Sequence, residues 1–524
     1  MRWRRIGGGI ALSTVILAGL ALRWTTPDLA QDLRPRPDAL EYEQGARNLV
    51  QGGGYHLVVD GERFVPRYPF GFSLLIAPVL AVWDAGPGTG VVVVLATAAG
   101  AVAGAWALGA VVGGLPGAIV AAGIVALSPA HVRWSQAVMS DVPSSCGVAW
   151  LAYATVAALR ARRGAGAWGL LGAALGLLAT VRPSNGLLAV PVAALVANAR
   201  GRSRPDRLAG LAALGLGVLV GLAPLLVYDA VVLGGPLRTG YDVWVPAAKF
   251  SWRHLVAAPP VGGGTIPNLV HYGRALAGGG DLYGPLVAAL VALGGITAAR
   301  SGGDRGRVLA LGLGFLTALL GVYGPFFWQD TRFLLPALPL LGAVAAVAVA
   351  PGVAVVVRVM GASLALLAAA LVALGPSPYV RDKVFREADV LRAISARVEP
   401  DAAILVRSND HYVSRLVLAP DRLWVPLGLD DHRFGVRWRR IAPAIPDREA
   451  RLRIDQSFSG RFDPVAAAEA LDRLVGSGRP VYVSTVLGFQ VPFLPDLLRL
   501  AAARFRVERV ATIHHTVLLR LRPR

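Results

Sequence analysis

Apolar runs of membrane-spanning length dominate this chain up to residue 375. They fall at about 6–24, 88–112, 115–131, 142–160, 166–182, 184–199, 207–233, 283–299, 307–325, 333–350 and 352–375. Crossing a hydrocarbon core of roughly 30 Å takes roughly 20 helical residues, and only helices or closed barrels satisfy their backbone polar groups there. The pattern therefore predicts a polytopic α-helical membrane protein of about 11 spans. Composition agrees. Charged residues are only 16% of the chain and hydrophobic residues 55%, where a soluble domain carries about a quarter charged.

The net charge of +20 bears on topology rather than on nucleic acid. Its arginines cluster between apolar runs, at Arg2–Arg5, Arg160–Arg163, Arg200–Arg207 and Arg300–Arg307, and no basic-aromatic module accompanies them. Short basic loops mark the cytoplasmic side. The N-terminal MRWRR and the apolar Ile6–Leu22 look like a signal peptide, but no small-residue cleavage site precedes the charged 28–38 segment. This stretch reads as a retained first helix with a cytoplasmic N-terminus. Cys146 is the only cysteine, which excludes an internal disulfide and a cysteine-based metal site.

Parity settles one further stretch. If Arg2–Arg5 and Arg160–Arg163 face the same side, an even number of spans separates them. The short run 68–83, with Pro69 and Pro78, would make five, so it reads as a half-helix or surface helix beside a cavity. Residues 25–87, 132–141, 234–282 and 326–332 then lie outside, as does the chain after Pro376. That tail, 376–524, is richer in charge and reads as an extracytoplasmic α/β domain following the transmembrane domain of 1–375. Ala403–Val406, Val481–Val486 and Val510–Leu521 read as strands, and Asp463–Leu474 as a helix with Asp463 as N-cap and Pro464 first.

Chemistry then concentrates in the outside loops. Asp38 opens a predicted amphipathic helix carrying Ala39, Tyr42, Ala46, Leu49 and Val50 on one face, ended by Gly52-Gly53-Gly54. Asp38 with Glu41 fits a capping box, and a carboxylate there also suits a general base taking a proton from an incoming hydroxyl. Asp141 opens another helix and is either a favourable N-terminal charge or a second acid in the same cavity. Arg182, before Pro183, and Arg332 are either snorkelling anchors or bidentate phosphate ligands, and Lys249 is a further phosphate candidate. His131, His254 and His271 lack zinc spacing, and His514-His515 sits in a predicted strand.

At these residues a resemblance emerges. Asp38-x-x-x-Tyr42-x-x-x-Ala46-x-x-Leu49-x-x-Gly52 is similar to the first-loop motif of the GT-C superfamily glycosyltransferases, among them the protein O-mannosyltransferases, the lipid A aminoarabinose transferases and the Rgt-like group. Arg67-Tyr68-Pro69-Phe70-Gly71 resembles the Pro-rich segment that follows it. Gly235-Pro236-Leu237-Arg238-Thr239-Gly240-Tyr241 and Asp330-x-Arg332-Phe333-Leu334-Leu335-Pro336 resemble two later motifs, in family order. The resemblance implies a sugar donor on a polyprenyl phosphate, an acceptor hydroxyl on protein, lipid or cell-wall glycan, and inverting transfer outside a bacterial cytoplasmic (inner) membrane. Asp38 matches the family's catalytic Asp and Asp141 its further acid. Glu41, Tyr42, Arg67, Arg182, Tyr241, Lys249, Asp330 and Arg332 become the candidates for holding donor and phosphate. A divalent cation, Mg or Mn, is an optional cofactor. Ala39 replaces the family's second acid and Phe70 its second proline. The alternatives are a transporter or flippase of lipid-linked glycans and a glycan ligase or polymerase. A transporter predicts charges within spans and symmetric halves, neither of which the sequence displays.

Overall fold

The computed structural model describes residues 2–24, 38–59, 62–84, 88–244, 250–259, 265–355, 358–359, 362, 387–407, 423–427, 464–485, 494–513 and 516–524. Up to residue 349 the described chain is almost wholly helical. α1 (Arg2–Trp24) and α2 (Asp38–Val50) precede a small antiparallel hairpin, β1 (Leu57–Val59) with β2 (Glu62–Phe64), and then α3 (Gly71–Val82). α4 (Val91–Leu127), α5 (Pro129–Trp134), α6 (Asp141–Arg160), α7 (Ala165–Val181), α8 (Ala189–Ala197) and α9 (Arg204–Val232) follow. The short α10 (Gly240–Trp244), α11 (Arg253–Val256) and α12 (Asn268–Leu276) lead into α13 (Pro285–Ser301), α14 (Gly303–Tyr323) and α15 (Leu338–Ala346). Five of the described helical stretches are by themselves long and apolar enough to cross a membrane: Val91–Leu127, Asp141–Arg160, Arg204–Val232, Gly303–Tyr323 and Thr331–Val349.

α4 contains two of the expected spans, 88–112 and 115–131. Gly114 interrupts it with φ 63°, a conformation glycine adopts without steric cost. Eight residues of continuous helix would separate Gly109 from Gly117 by about 12 Å. A Cβ on Gly109 would instead lie 2.4 Å from the Gly117 carbonyl oxygen. The chain therefore doubles back at Gly114 as a tight helical hairpin. Its second arm ends at Leu127, short of the expected 131, because Ser128 leaves the helix and its Oγ accepts the His131 N–H to cap α5. α3, within the expected 68–83, has 12 residues, about 18 Å, and is too short alone for a crossing of roughly 30 Å.

Two expected spans begin irregularly. Pro183–Leu188 and Thr331–Ala337 are 3-10 turns before α8 and α15. Pro183 and Pro336 each remove a backbone donor that a regular helix would use. The residue ahead of each turn, Arg182 or Asp330, is extended. Charged side chains thus project where the helices break.

The bundle has two chemically distinct ends. α6 runs from Asp141 to Arg160, and α14 from Asp304 near its start to Tyr323. Arg160 pairs with Asp304 at one end, while Arg182 joins Asp141 and Tyr323 at the other. Nineteen residues of helix put these ends about 28 Å apart. Arg160 also donates to the Val111 carbonyl beside the Gly114 turn, and Arg305 to those of Val112 and Pro351. The basic turns therefore gather at one end, opposite the acids and arginines singled out above.

Among the tail's described residues a five-stranded sheet has the order β4 (Leu423–Leu427), β3 (Ala403–Arg407), β5 (Val481–Thr485), β7 (Thr516–Arg522), β6 (Arg506–Ile513). β3 pairs in parallel with β4 and β5, and β7 pairs antiparallel with β5 and β6. The single strand expected over Val510–Leu521 is instead the junction of two antiparallel strands, since an apolar run does not reveal a reversal. α16 (Glu387–Ser395), α17 (Pro464–Gly476) and α18 (Leu494–Arg504) complete the tail. Leu471 and Leu497 pack with Leu405, Val483 and Leu521 in one apolar cluster. Pro464 does open its helix, while Asp463, His514-His515 and most of 352–375 lie outside the described residues.

Candidate active site

α2 was expected to be amphipathic, and its burial differs. Val50 is 41% exposed, whereas Asp38, Glu41, Glu43 and Asn48 are buried along with Ala39, Tyr42 and Ala46. Its polar residues turn inward because they have partners there. The Glu43 carboxylate accepts the backbone N–H groups of Gly88 (2.8 Å) and Gly90 (2.7 Å) at the start of α4, which favours negative charge there. Burial nevertheless raises its pKa above the ordinary value. Asn48 donates to the His56 carbonyl (2.6 Å). These contacts fix α2, so Asp38 at its start is presented on a rigid element.

Both carboxylate oxygens of Glu41 engage Arg67. Its Oε1 accepts Arg67 Nη2 at 2.6 Å and its Oε2 the Arg67 backbone N–H at 3.0 Å. Its side chain is wholly buried, and burial raises its pKa, with Arg67 opposing that shift. Glu41 thus holds Arg67. Tyr42 is also a packing residue. It is 2% exposed, stacks on Tyr68 at 4.7 Å between ring centroids, and its Oη lies 3.2 Å from Ser140 Oγ, next to Asp141. The Pro-rich segment is clamped from the other side by Gly240. A Cβ there would fall 2.3 Å from the Pro66 carbonyl oxygen and 2.5 Å from that of Arg67, so only glycine lets the two segments touch. Tyr241 then meets Tyr68 edge-on at 5.7 Å, and burial pushes its phenol up to about 12.

Asp38 lies between two guanidiniums. Its Oδ1 is 3.7 Å from Arg67 Nη2 and its Oδ2 is 3.8 Å from Arg332 Nη2. Both are ion-pair distances, longer than hydrogen bonds. The carboxylate is oriented and charge-compensated, and among the described residues its oxygens accept no shorter hydrogen bond. Arg332 is held by Asp330, whose Oδ1 accepts its backbone N–H (3.0 Å) and whose Oδ2 lies 3.4 Å from its Nε. Burial raises the Asp330 pKa and Arg332 opposes the shift. The Arg332 guanidinium sits 4.7 Å over Trp134 and 5.4 Å from Phe333, as cation–π contacts require.

Arg182 forms the third cationic corner. It pairs with Asp141, donates from Nε to Tyr323 Oη at 3.0 Å, and lies over the rings of Tyr323 (5.5 Å) and Phe333 (5.2 Å). Tyr323 Oη in turn donates to Ser184 Oγ (2.9 Å), and its ring stacks on Phe333 at 4.3 Å. Phe333 therefore contacts both Arg182 and Arg332. Of the residues expected to act together, Asp38, Glu41, Arg67, Asp141, Arg182, Tyr241, Asp330 and Arg332 gather at one end of the bundle. Lys249 lies outside the described residues. Sequence reading assigned no role to Glu43, Trp134, Tyr323 or Phe333; only Phe333, inside a quoted motif, carried a signal. Among the described residues no three His, Cys, Asp or Glu side chains form a set that could hold a metal ion. The acids here face arginines instead.

The comparisons with known proteins meet this geometry. The family described as dolichyl-phosphate-mannose-protein mannosyltransferase matches residues 68–228, which run from Tyr68 through Asp141 and Arg182. The structure of ArnT from Cupriavidus metallidurans bound to undecaprenyl phosphate superposes with a TM-score of 0.59 at 14% identity, over 97% of each chain. This chain has the GT-C fold. A second GT-C structure, the archaeal oligosaccharyltransferase AglB from Archaeoglobus fulgidus with an inhibitory peptide and a dolichol-phosphate, matches at TM-score 0.54 and 11% identity, over 92% of this chain and 70% of that one. The arabinofuranosyltransferase AftD from Mycobacteria matches at TM-score 0.51 and 14% identity, over 100% of this chain and 40% of that one. No curated protein matches in sequence. The apolar helices here have the length and composition of membrane spans.

Proposed function

We propose that this protein transfers a sugar from a polyprenyl-phosphate donor to an acceptor hydroxyl, with Asp38 as general base and inversion at the anomeric carbon. One observation carries the reading: Asp38 stands between Arg67 and Arg332, at 3.7 and 3.8 Å, at the bundle end opposite the basic turns. The acceptor oxygen attacks the anomeric carbon while Asp38 takes its proton. The bond from that carbon to the phosphate oxygen breaks, and charge develops on the lipid phosphate. Arg67, Arg182 and Arg332 are fixed donors for that charge, and fixed donors need no reorganisation as it forms. Asp141 and Asp330 hold two of those arginines. The reading routes no step through a cation, although Mg or Mn binding is open to the same assay. ArnT with undecaprenyl phosphate and AglB with dolichol-phosphate support a lipid-phosphate donor here.

The basic turns at the opposite end support a site that faces outward from a bacterial cytoplasmic membrane. The proposed topology has about 11 spans with α3 as a half-helix, and the 376–524 tail is an extracytoplasmic α/β domain. The acceptor is a hydroxyl of a protein, lipid or cell-wall glycan. Purified protein incubated with a panel of polyprenyl-phosphate sugars should release polyprenyl phosphate from at least one. Release that persists unchanged in Asp38→Asn would remove Asp38 as the base, and no release from any donor would favour the transporter reading.

A further inference from the structure

The basic end carries a feature that the transfer reaction does not use. α6 closes with the Arg163 N–H on the Ala158 carbonyl (3.0 Å) and the Arg162 N–H on that of Leu159 (3.4 Å), the paired bonds of a Schellman turn. The position this motif reserves for glycine is Arg162, at φ 50°. Among the described residues it is the sole non-glycine with positive φ. Holding an arginine there costs about 1 kcal/mol relative to glycine. Its side chain reaches the α8–α9 turn, where a Cβ on Gly201 would be 3.3 Å from Arg162 Nη2. Arg202 returns the contact, donating from Nη2 to the Arg163 carbonyl (2.6 Å) and lying 5.6 Å over the Trp168 ring.

Two arginine-bearing turns are thus stitched together. They bring Arg162, Arg163, Arg200, Arg202 and Arg204 to one surface, and between Asp141 and Asp229 the chain has a single acid, Asp206. Asp206 is occupied in capping α9 with Ser203 (2.6 Å). Among the described residues, none of these five arginines has a carboxylate within ion-pair distance. Like charge concentrated on one surface without carboxylate partners attracts anions. Guanidiniums match phosphate oxygens bidentately, and basic pockets between membrane helices on this side take lipid headgroups.

We propose that the Arg162–Arg163 and Arg200–Arg204 turns form a binding site for the phosphate headgroup of an anionic membrane lipid, remote from the transfer site. The test compares the full chain in nanodiscs of phosphatidylcholine alone and with phosphatidylglycerol or cardiolipin added. The anionic lipids should raise Tm by several degrees and remain bound in native mass spectrometry. Arg162→Gly with Arg202→Gln should abolish both effects while its Tm in phosphatidylcholine stays at or near that of the parent. Arg162→Gly alone relieves the backbone, so a purely structural arginine predicts an unchanged lipid response in that variant, whereas the lipid site predicts a diminished one. Equal Tm in neutral and anionic discs, or an undiminished response in the double variant, would overturn the proposal. Inorganic phosphate in detergent matching the lipid effect would overturn the lipid assignment in favour of a free anion.

Discussion

Glu41 holds Arg67 at both ends of the residue, accepting its backbone N–H and its guanidinium with separate carboxylate oxygens. This clamp sets where the Arg67 charge stands beside Asp38. Burial raises the Glu41 pKa above its ordinary 4.5. A carboxyl whose pKa is higher folded than unfolded stabilises the fold most below the unfolded value, and that contribution is lost as pH rises through the folded value. Parent stability relative to Glu41→Gln should therefore fall as pH is raised from 4.5 towards neutrality. Parallel Tm measurements across that range check it, and a difference that grows in the parent's favour would contradict the assigned direction.

Asp38 is expected to matter for turnover far more than for folding. Among the described residues its oxygens make long ion pairs and no short hydrogen bond, so Asp38→Asn removes little that holds α2 in place. A positioned general base contributes about 100- to 10,000-fold. Asp38→Asn should lower kcat within that range, with Tm nearly unchanged. The measurement is released polyprenyl phosphate at saturating donor, beside a melting curve.

The helical class, the positions of most breaks and the gathering of charge outside the spans were legible because hydropathy and charge act locally. The α2 helix illustrates what was not. Local periodicity assigned Val50 to its apolar face, but Val50 is exposed while Glu41 and Glu43 are buried. Their partners, Arg67 and the amides of Gly88 and Gly90, belong to segments 26 to 47 residues away. Arg182 was likewise visible as a cation near a boundary, yet Asp141 and Tyr323 lie 41 and 141 residues from it. Only the folded chain reveals which anchor is also a paired, ring-stacked group. Phe333 was part of a recognisable motif, but its contact with two guanidiniums depends on how the 3-10 turn at Thr331 directs it.

Asp141 and Arg182 should behave as one unit. Both side chains are nearly inaccessible, and removing one partner of a buried pair costs about 3–5 kcal/mol because the other charge is stranded. Asp141→Asn and Arg182→Gln should each lower Tm strongly. The double variant should be clearly less destabilised than the sum, as determined by a double-mutant cycle. Strict additivity would show that the two side chains are energetically independent.

Phe333 is expected to govern donor affinity through the arginines it touches. Its ring lies 5.2 Å from the Arg182 guanidinium and 5.4 Å from that of Arg332. Each such contact contributes about 0.5–2 kcal/mol, so losing both is equivalent to a roughly 5- to 1,000-fold effect at the limits. Phe333→Leu keeps the volume apolar but removes the π face, and should raise KM for the polyprenyl-phosphate donor more than it changes Tm. Phe333→Tyr restores the π face and should recover most of the affinity. A leucine variant with parental KM would mean that the remaining partners, Asp141 and Tyr323 on Arg182 and Asp330 and Trp134 on Arg332, suffice to fix the two guanidiniums.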